Sequence, residues 1–358
     1  MSHCVHFGLC GGCTNDDLTR PDKAALLFNA LAQAGYKAVN VAPLQRVGLH
    51  SRRRVDLAAT RKGAEILLGL HQARSSDVID MQDCALLNPG LLALLPRLRG
   101  VLRSLQAFRH NTSVLINWLD NGPDVLLRVD AALTQPDRKK LIEFAKSHSL
   151  PRLSVAEPKQ SAEPILIQEN PVLRFAGVDV TPPPGCFLQA SPEGEAAIVS
   201  AMVAGLPKLQ RKSRIIELYA GCGTLSFPLA QYARVEAYED DEAATEAAER
   251  AARASGLAGR MGITRRDLHR RPLLTQEFRG ADVVVLDPPF AGAGAQMKFL
   301  APAGVKRLIY ISCNPVALAH DAALLHRSGY EVMAATPIDQ FLFSDNVESV
   351  VVFGLKAR

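Results

Sequence analysis

From Arg214 onward the chain alternates short apolar runs with helical segments, and this rhythm limits the possible folds more than any other feature. Strands are expected over 214–219, 234–239, a short stretch near Ile263, 282–286, 307–311, 331–335 and 348–355. Helices are expected from Thr224, over 241–255 and over 315–327, and one over 192–205 leads in, with Ser191 as its N-cap and Pro192 in its first turn. Strands separated by helices pair through crossovers rather than hairpins, and the result is a mostly parallel, doubly wound α/β sheet.

The first half has a different texture. A helix over 22–35 stops at Gly35, and short strands follow between Val39 and Ile79. A leucine-rich helix covers 91–109, and a strand pair, 113–119 and 125–130, flanks the turn sequence Asp120-Asn121-Gly122-Pro123. After a helix over 136–147, a proline-rich stretch ends at Pro182-Pro183-Pro184-Gly185. The boundary is set there: residues 1–184 form a smaller α+β unit and residues 185–358 the doubly wound one. A chain of 358 residues, 48% hydrophobic, can fill two cores. No apolar run approaches the ~20 residues of a membrane span, and the start shows no basic segment leading into an apolar one. A cytoplasmic monomer is the default. In that compartment the seven cysteines are expected as metal ligands, nucleophiles or buried thiols rather than disulfides.

Several clusters carry chemistry. Cys4, Cys10 and Cys13 stand in a C-x5-C-G-G-C spacing, with Cys84 alone downstream; this reads as a metal cluster, and the spacing alone suits zinc as well as iron–sulfur. The net charge is +5, and Arg46, Arg52, Arg53, Arg54, Arg61, Lys62 and Arg74 crowd together with His50 and His71. Such a group is either a solvated face or a contact for RNA phosphates. In the second half, Ile215-Ile216-Glu217-Leu218-Tyr219-Ala220-Gly221-Cys222-Gly223-Thr224 is a buried strand running into a glycine turn and a helix. The third glycine of the dinucleotide fingerprint is missing, which disfavours a nicotinamide cofactor. Glu239 ends the next strand, where a carboxylate can take ribose hydroxyls, and Asp267 follows the third, where it can meet an adenine amine. This order resembles the class I S-adenosylmethionine-dependent methyltransferases. Each acid alone could equally be a helix cap or a surface group.

Asp287-Pro288-Pro289-Phe290 ends the fourth strand and turns the chain with Asp287 at the crevice. Cys313, in Ser312-Cys313-Asn314-Pro315, follows the fifth strand; it is either a small buried hydrophobe or a nucleophile whose thiolate the helix start at Pro315 would favour. Glu348 opens the last strand, where a carboxylate is costly unless it is partnered, functional or at the surface. In Phe187-Leu188-Gln189-Ala190-Ser191 an aromatic ring and an amide can stack on a base and hydrogen-bond its edge.

Together these elements, with the cysteine opening, Cys84-Ala-Leu-Leu-Asn-Pro and the terminal Val-Glu-Ser-Val, resemble the uracil-5 RNA methyltransferase family over almost the whole chain. The resemblance implies a [4Fe-4S] cluster on Cys4, Cys10, Cys13 and Cys84. It also implies Cys313 as nucleophile and Glu348 as base, with Gln189, Tyr219, Gly221, Glu239, Asp267 and Asp287 around S-adenosylmethionine and the target base. The implied substrate is a uridine in RNA, 23S rRNA ahead of tRNA. The form expected is the one lacking the amino-terminal oligonucleotide-binding domain of some members.

Two departures stand out: Phe290 where the family usually has arginine, and Phe341-Leu342-Phe343-Ser344-Asp345-Asn346 where it tends to read Phe-Pro-x-Thr-x-His. Asp-Pro-Pro-Phe also fits methyltransferases of exocyclic base amines, which would need neither Cys313 nor Glu348. A degenerate RNA-binding protein without catalysis is the non-enzymatic alternative. Cytosine-5 methylation fits less well, because no cysteine follows the Asp-Pro-Pro turn.

Overall fold

The computed structural model describes residues 4–356. Helix α1 (Lys23–Gln33) and the two-residue strand β1 (Gln45–Arg46) come first. Then follow β2 (Arg54–Lys62), β3 (Glu65–Gly69), α2 (Pro89–Ser104), β4 (Asn111–Leu119), β5 (Gly122–Arg128), α3 (Gln135–Ser147), β6 (Arg152–Ala156) and β7 (Glu163–Ile167). These last make a six-stranded sheet in the order β3-β2-β4-β5-β6-β7. Its alternation is plain in β2, where Val55, Leu57 and Ala59 are buried and the even-numbered residues are not. The buried face packs under α2 and α3, with Leu91, Leu98, Leu102, Leu141 and Phe144 filling the layer. Arg152 and Asp124 pair bidentately between neighbouring strands, both almost fully buried, and Arg152 also donates to the Pro182 carbonyl at 2.9 Å.

A hairpin of β8 (Leu173–Phe175) and β9 (Val178–Val180) leads into the second unit. There α4 (Pro192–Ala204) is followed by β10 (Arg214–Leu218), α5 (Ser226–Ala230), β11 (Arg234–Glu239), α6 (Glu242–Ala254), β12 (Met261–Arg265) and β13 (Val283–Leu286). The chain ends with α7 (Met297–Leu300), β14 (Arg307–Ser312), α8 (Pro315–Arg327), β15 (Tyr330–Asp339) and β16 (Glu348–Leu355). The eight strands lie in the order β1-β15-β16-β14-β13-β10-β11-β12. The β10–β14 strands pair in parallel, and β16 runs antiparallel between β14 and β15. The expected α/β class and doubly wound sheet are thus present, with Ser191 capping α4 by accepting the Gly194 N–H. The helix expected from Thr224 is only five residues long. Among the described residues no helix is long and apolar enough to cross a membrane.

The segment before β2 joins the second sheet, not the first. Leu27 and Leu31 of α1 bury against Leu318, Ala322 and Leu325 of α8, and β1 pairs in parallel with the end of β15, Gln45 opposite Ile338. Lys23, 1% exposed, is ion-paired with Asp339 and donates to the Phe341 carbonyl, while Arg46 donates to the other Asp339 oxygen at 3.0 Å. Spatially, the six-stranded sheet is an insertion between two parts of one larger body. Arg53 at the start of β2 spans the junction, paired with Glu195 of α4 and donating to the Gln189 carbonyl.

Removing one member of a buried ion pair leaves the other charge uncompensated. Asp124→Ala is therefore expected to destabilise the protein by about 3–5 kcal/mol in urea unfolding, far more than Glu246→Ala, which breaks only an exposed helical pair with Arg250.

Candidate active site

The strand order reverses between β10 and β13, and a crevice opens beyond the carboxyl ends of the strands at such a point. A cavity of about 640 Å³ lies there. Gln189, Tyr219, Gly221, Glu239, Asp267, Asp287, Cys313 and Glu348 all line it, so the eight residues singled out from motifs spread along the second half meet around one space.

One side is the glycine turn after β10. Tyr219 takes a φ of 66°, unusual for a residue with a side chain. At Gly221, φ 54°, a Cβ would meet no atom within 4 Å, so the backbone faces open space that a ligand can approach. Glu239 holds this turn: one carboxylate oxygen accepts the Gly221 N–H at 2.8 Å, the other the N–H groups of Asp240 and Asp241. Asp267 accepts from the N–H groups of His269 and Arg270, which hold its carboxyl below the usual range. Glu217 also lines the cavity, although motif reasoning passed over it. It is 1% exposed, receives the Ser226 hydroxyl on one oxygen and leaves the other buried without a hydrogen-bond partner. Burial pushes its carboxyl up to about 8. The signal was the one that marks Glu348: an acid inside an otherwise apolar strand. An open backbone at the turn, a carboxylate at the end of the next strand and a buried acid with one oxygen free of hydrogen bonds among the described residues suit a cationic, ribose-bearing cofactor such as S-adenosylmethionine.

The other side gathers the groups from the ends of β13, β14 and β16. Gln189 donates from Nε2 to Asp287 at 3.0 Å. Gln340, just past β15, donates from its own Nε2 to the Gln189 oxygen at 2.9 Å and to Glu348 at 2.8 Å. Two carboxyls are therefore linked by two amides. Burial pushes Asp287 up to about 7, partly offset by the Gln189 bond. Burial, then the Asp287 charge, pushes Glu348 from 4.5 to about 8. Phe187 and Phe290, 67% and 60% exposed, stand at the mouth, with the Arg54 guanidinium 5.6 Å from the Phe187 ring centroid.

Two expectations need correction. The thiol of Cys313 is not drawn toward thiolate by the start of α8. Asn314 takes the N–H groups of Val316 and Ala317 on its own side chain, and burial with the nearby Glu348 and Asp287 pushes the thiol up to about 12. The basic cluster is not one solvated face. Arg53 and Arg46 are in internal ion pairs, and Arg61 donates to the carbonyls of Phe108, Leu102, Arg103 and Leu105 at the end of α2; Arg52 and Arg54 alone of this group line the cavity.

The cysteines of the opening motif are also drawn together. Backbone bonds tie Leu9 and Gly11 to Ala73 and His71, for instance Gly11 N–H to the His71 carbonyl at 2.9 Å, and the His6 ring accepts the Gln82 N–H at 3.0 Å. This brings Cys4, Cys10, Cys13 and Cys84 close enough that the other three all raise Cys13, after burial, up to about 12. Yet among the described residues no group of three or more His, Cys, Asp or Glu side chains is arranged to hold a metal ion.

The fold and the cavity define a class I methyltransferase. The family model for tRNA (uracil-5-)-methyltransferases matches residues 184–356. An uncharacterized RNA methyltransferase of Brucella melitensis is 36% identical over 353 residues, covering 98% of this chain and 83% of its own. The 23S rRNA (uracil(1939)-C(5))-methyltransferase RlmD of an Enterobacter species is 32% identical over 362 residues, covering 98% and 81%. The fold matches that of the Pyrococcus abyssi tRNA (uracil-54, C5)-methyltransferase in complex with S-adenosyl-L-homocysteine, with a TM-score of 0.70 at 19% identity, over 97% of this chain and 86% of that one. The chain belongs to the uracil-5 RNA methyltransferase family and is an S-adenosylmethionine-dependent enzyme.

The raised carboxyls have a consequence for stability. A group whose folded-state value lies above its unfolded one binds its proton more tightly in the folded protein, so stability declines as pH rises between the two. For Glu348 that window runs from 4.5 to about 8. Glu348→Gln is expected to melt above the parent protein at pH 9 and level with it at pH 4, as read by thermal denaturation.

Proposed function

We propose that the enzyme methylates carbon 5 of a uridine in 23S rRNA through a covalent adduct between Cys313 and carbon 6 of the base. The observation that carries this reading is a single cavity in which a thiol and a buried carboxyl, Cys313 and Glu348, stand across from the glycine turn. Carbon 5 of uracil is a weak nucleophile. Addition of the Cys313 sulfur at carbon 6, its proton leaving to solvent, moves an electron pair into the ring as an enolate and makes carbon 5 electron-rich. S-adenosylmethionine supplies an electrophilic methyl group on its sulfonium. Once carbon 5 carries the methyl, the Glu348 carboxylate removes its proton, the pair re-forms the 5,6 double bond and the sulfur leaves. Burial and the Asp287 charge hold Glu348 up near 8, which suits a base working close to a neutral medium, and burial with the same acids holds the Cys313 thiol up.

Glu239 and Gly221 are assigned to the ribose side of the cofactor, Asp267 to its adenine, Tyr219 to the turn between them, and Glu217 to its positive end. Gln189 and Asp287 face the target base. Phe187 and Phe290 supply stacking surfaces for a base taken out of its own stack, as chemistry at a ring carbon requires. The choice of 23S rRNA follows the RlmD relative. The exocyclic-amine reading draws support from Phe290 at the cavity mouth, but leaves Cys313 and Glu348 without a task.

Cys4, Cys10, Cys13 and Cys84 are assigned to a [4Fe-4S] cluster with a structural role, tying residues 4–13 to the turn before α2. Four neighbouring thiols need a central cation to ionise together, and cysteine thiolates are the donors iron–sulfur clusters use. Anaerobically purified protein is expected to contain iron and acid-labile sulfide, both lost in Cys84→Ser.

Cys313→Ala is expected to abolish 5-methyluridine formation, scored by mapping rRNA and tRNA from cells with and without the active gene, and to abolish the denaturant-resistant adduct with 5-fluorouridine-containing transcript. Methylation of a base amine that survives Cys313→Ala would establish the amine reading instead.

A further inference from the structure

Gln340 lies outside every motif, immediately before the Phe341–Asn346 segment, and it is 5% exposed. Both N–H bonds of its amide are engaged, one on the Gln189 oxygen and one on Glu348, and its own oxygen is buried without a partner. This is costly for an amide and fixes the direction of everything it touches. Because Gln340 offers only donors to Gln189, the oxygen of Gln189 must turn toward Gln340 and its nitrogen toward Asp287 and the cavity. One hydrogen of that nitrogen goes to Asp287, and the second is left for a ligand.

We propose that Gln340 is a positioning residue that sets the pyrimidine specificity of the site by locking the amide of Gln189 with its donor toward the base. This rests on the reading of the target as a uracil. A donor from Gln189 beside an acceptor from Asp287 complements the carbonyl and N3–H edge of uracil. Cytosine presents the reverse, an acceptor at N3 and an amine at carbon 4. A site built to hydrogen-bond one pattern rejects the other strongly, because its buried groups are then left unpaired. If Gln189 were free to turn over, its oxygen would meet the cytosine amine and the discrimination would fall.

The surroundings keep Gln340 where it is. The preceding residue, Asp339, is held by Lys23 and Arg46, and the carbonyl of the following residue, Phe341, accepts from Lys23. Gly194 in the first turn of α4 leaves room for the amide: a Cβ there would stand 2.6 Å from the Gln340 oxygen and 2.9 Å from its Cβ. The charged and titratable groups acting on Glu348, the other partner, are Asp287 and Cys313.

The test uses the full-length enzyme and transcripts of the rRNA segment carrying its uridine, with uridine or cytidine at that position. Gln340→Met removes the hydrogen bonds at nearly constant volume. It is expected to reduce the uridine-over-cytidine binding preference by about tenfold or more, and to lower kcat/KM on the uridine transcript, while S-adenosylhomocysteine affinity by calorimetry stays at the parent value. Gly194→Ala leaves every site residue in place but displaces the Gln340 side chain, and is expected to lower the same preference if Gln340→Met does not fold. A parental preference in a folded variant overturns the assignment, since a merely structural role would not change the ratio of two transcripts. A parent enzyme that makes no 5-methyluridine overturns the underlying uracil reading instead, and the two failures are distinguished by which protein shows them.

Discussion

Two carboxyls buried within one hydrogen-bonded chain of amides make the most demanding arrangement in this protein. Asp287 and Glu348 sit at the ends of β13 and β16, out of water and near each other, and neither has a cation to neutralise it among its hydrogen-bond partners. Neutral amides are the partners that satisfy such groups without fixing their charge. Gln189 and Gln340 fill that role, and each comes from a different part of the chain: one from the lead-in to α4, the other from the exit of β15. The antiparallel insertion of β16 between β14 and β15 brings Glu348 beside Cys313 and within reach of Gln340.

The rest of the structure holds those pieces still. Arg53 anchors the backbone at Gln189 from the six-stranded sheet. Lys23 and Arg46 secure both oxygens of Asp339 immediately before Gln340. Arginines that in sequence look like an RNA-binding stripe are thus in part the fasteners that set the two sheets around the cavity, while Arg52 and Arg54 keep positive charge at its lining. The same basic run supplies both positioning and, at those two residues, positive charge facing the cavity.

Residue patterns made the second sheet legible nearly strand by strand, because parallel strands buried on both faces read as continuous apolar runs with helices between them. Most motif residues were legible for the same reason: Tyr219, Gly221, Glu239, Asp267, Asp287 and Cys313 sit at or just past the place where such a run stops, and the carboxyl ends of the strands converge in space. What pattern reading missed has physical causes. Gln340 carries no signal of its own, since an isolated amide between the end of one strand and an apolar Phe341-Leu342-Phe343 run looks like a loop residue until its partners from positions 189 and 348 are in place. Glu217 had a signal but lay inside the glycine motif, which drew attention to the turn. At Cys313 the helix start would favour a thiolate, but burial and two acids outweigh it, and the acids come from distant strands. The allocation of residues 23–46 to the second sheet depends on a pairing between distant strands that local periodicity does not encode.

That distant pairing bears on how the molecule is made. A ribosome delivers α1 and β1 early, yet their apolar faces are complementary to α8 and β15, which emerge close to the end of synthesis. Throughout translation of the intervening sheet, Leu27 and Leu31 have no native surface to cover them, and the cysteine-bearing leader is joined at one side only. The first helix reaches its seat only after α8 has been made. Closure of the larger body is consequently one of the last events in folding, so that the catalytic crevice is assembled late even though the glycine turn that begins it is encoded much earlier.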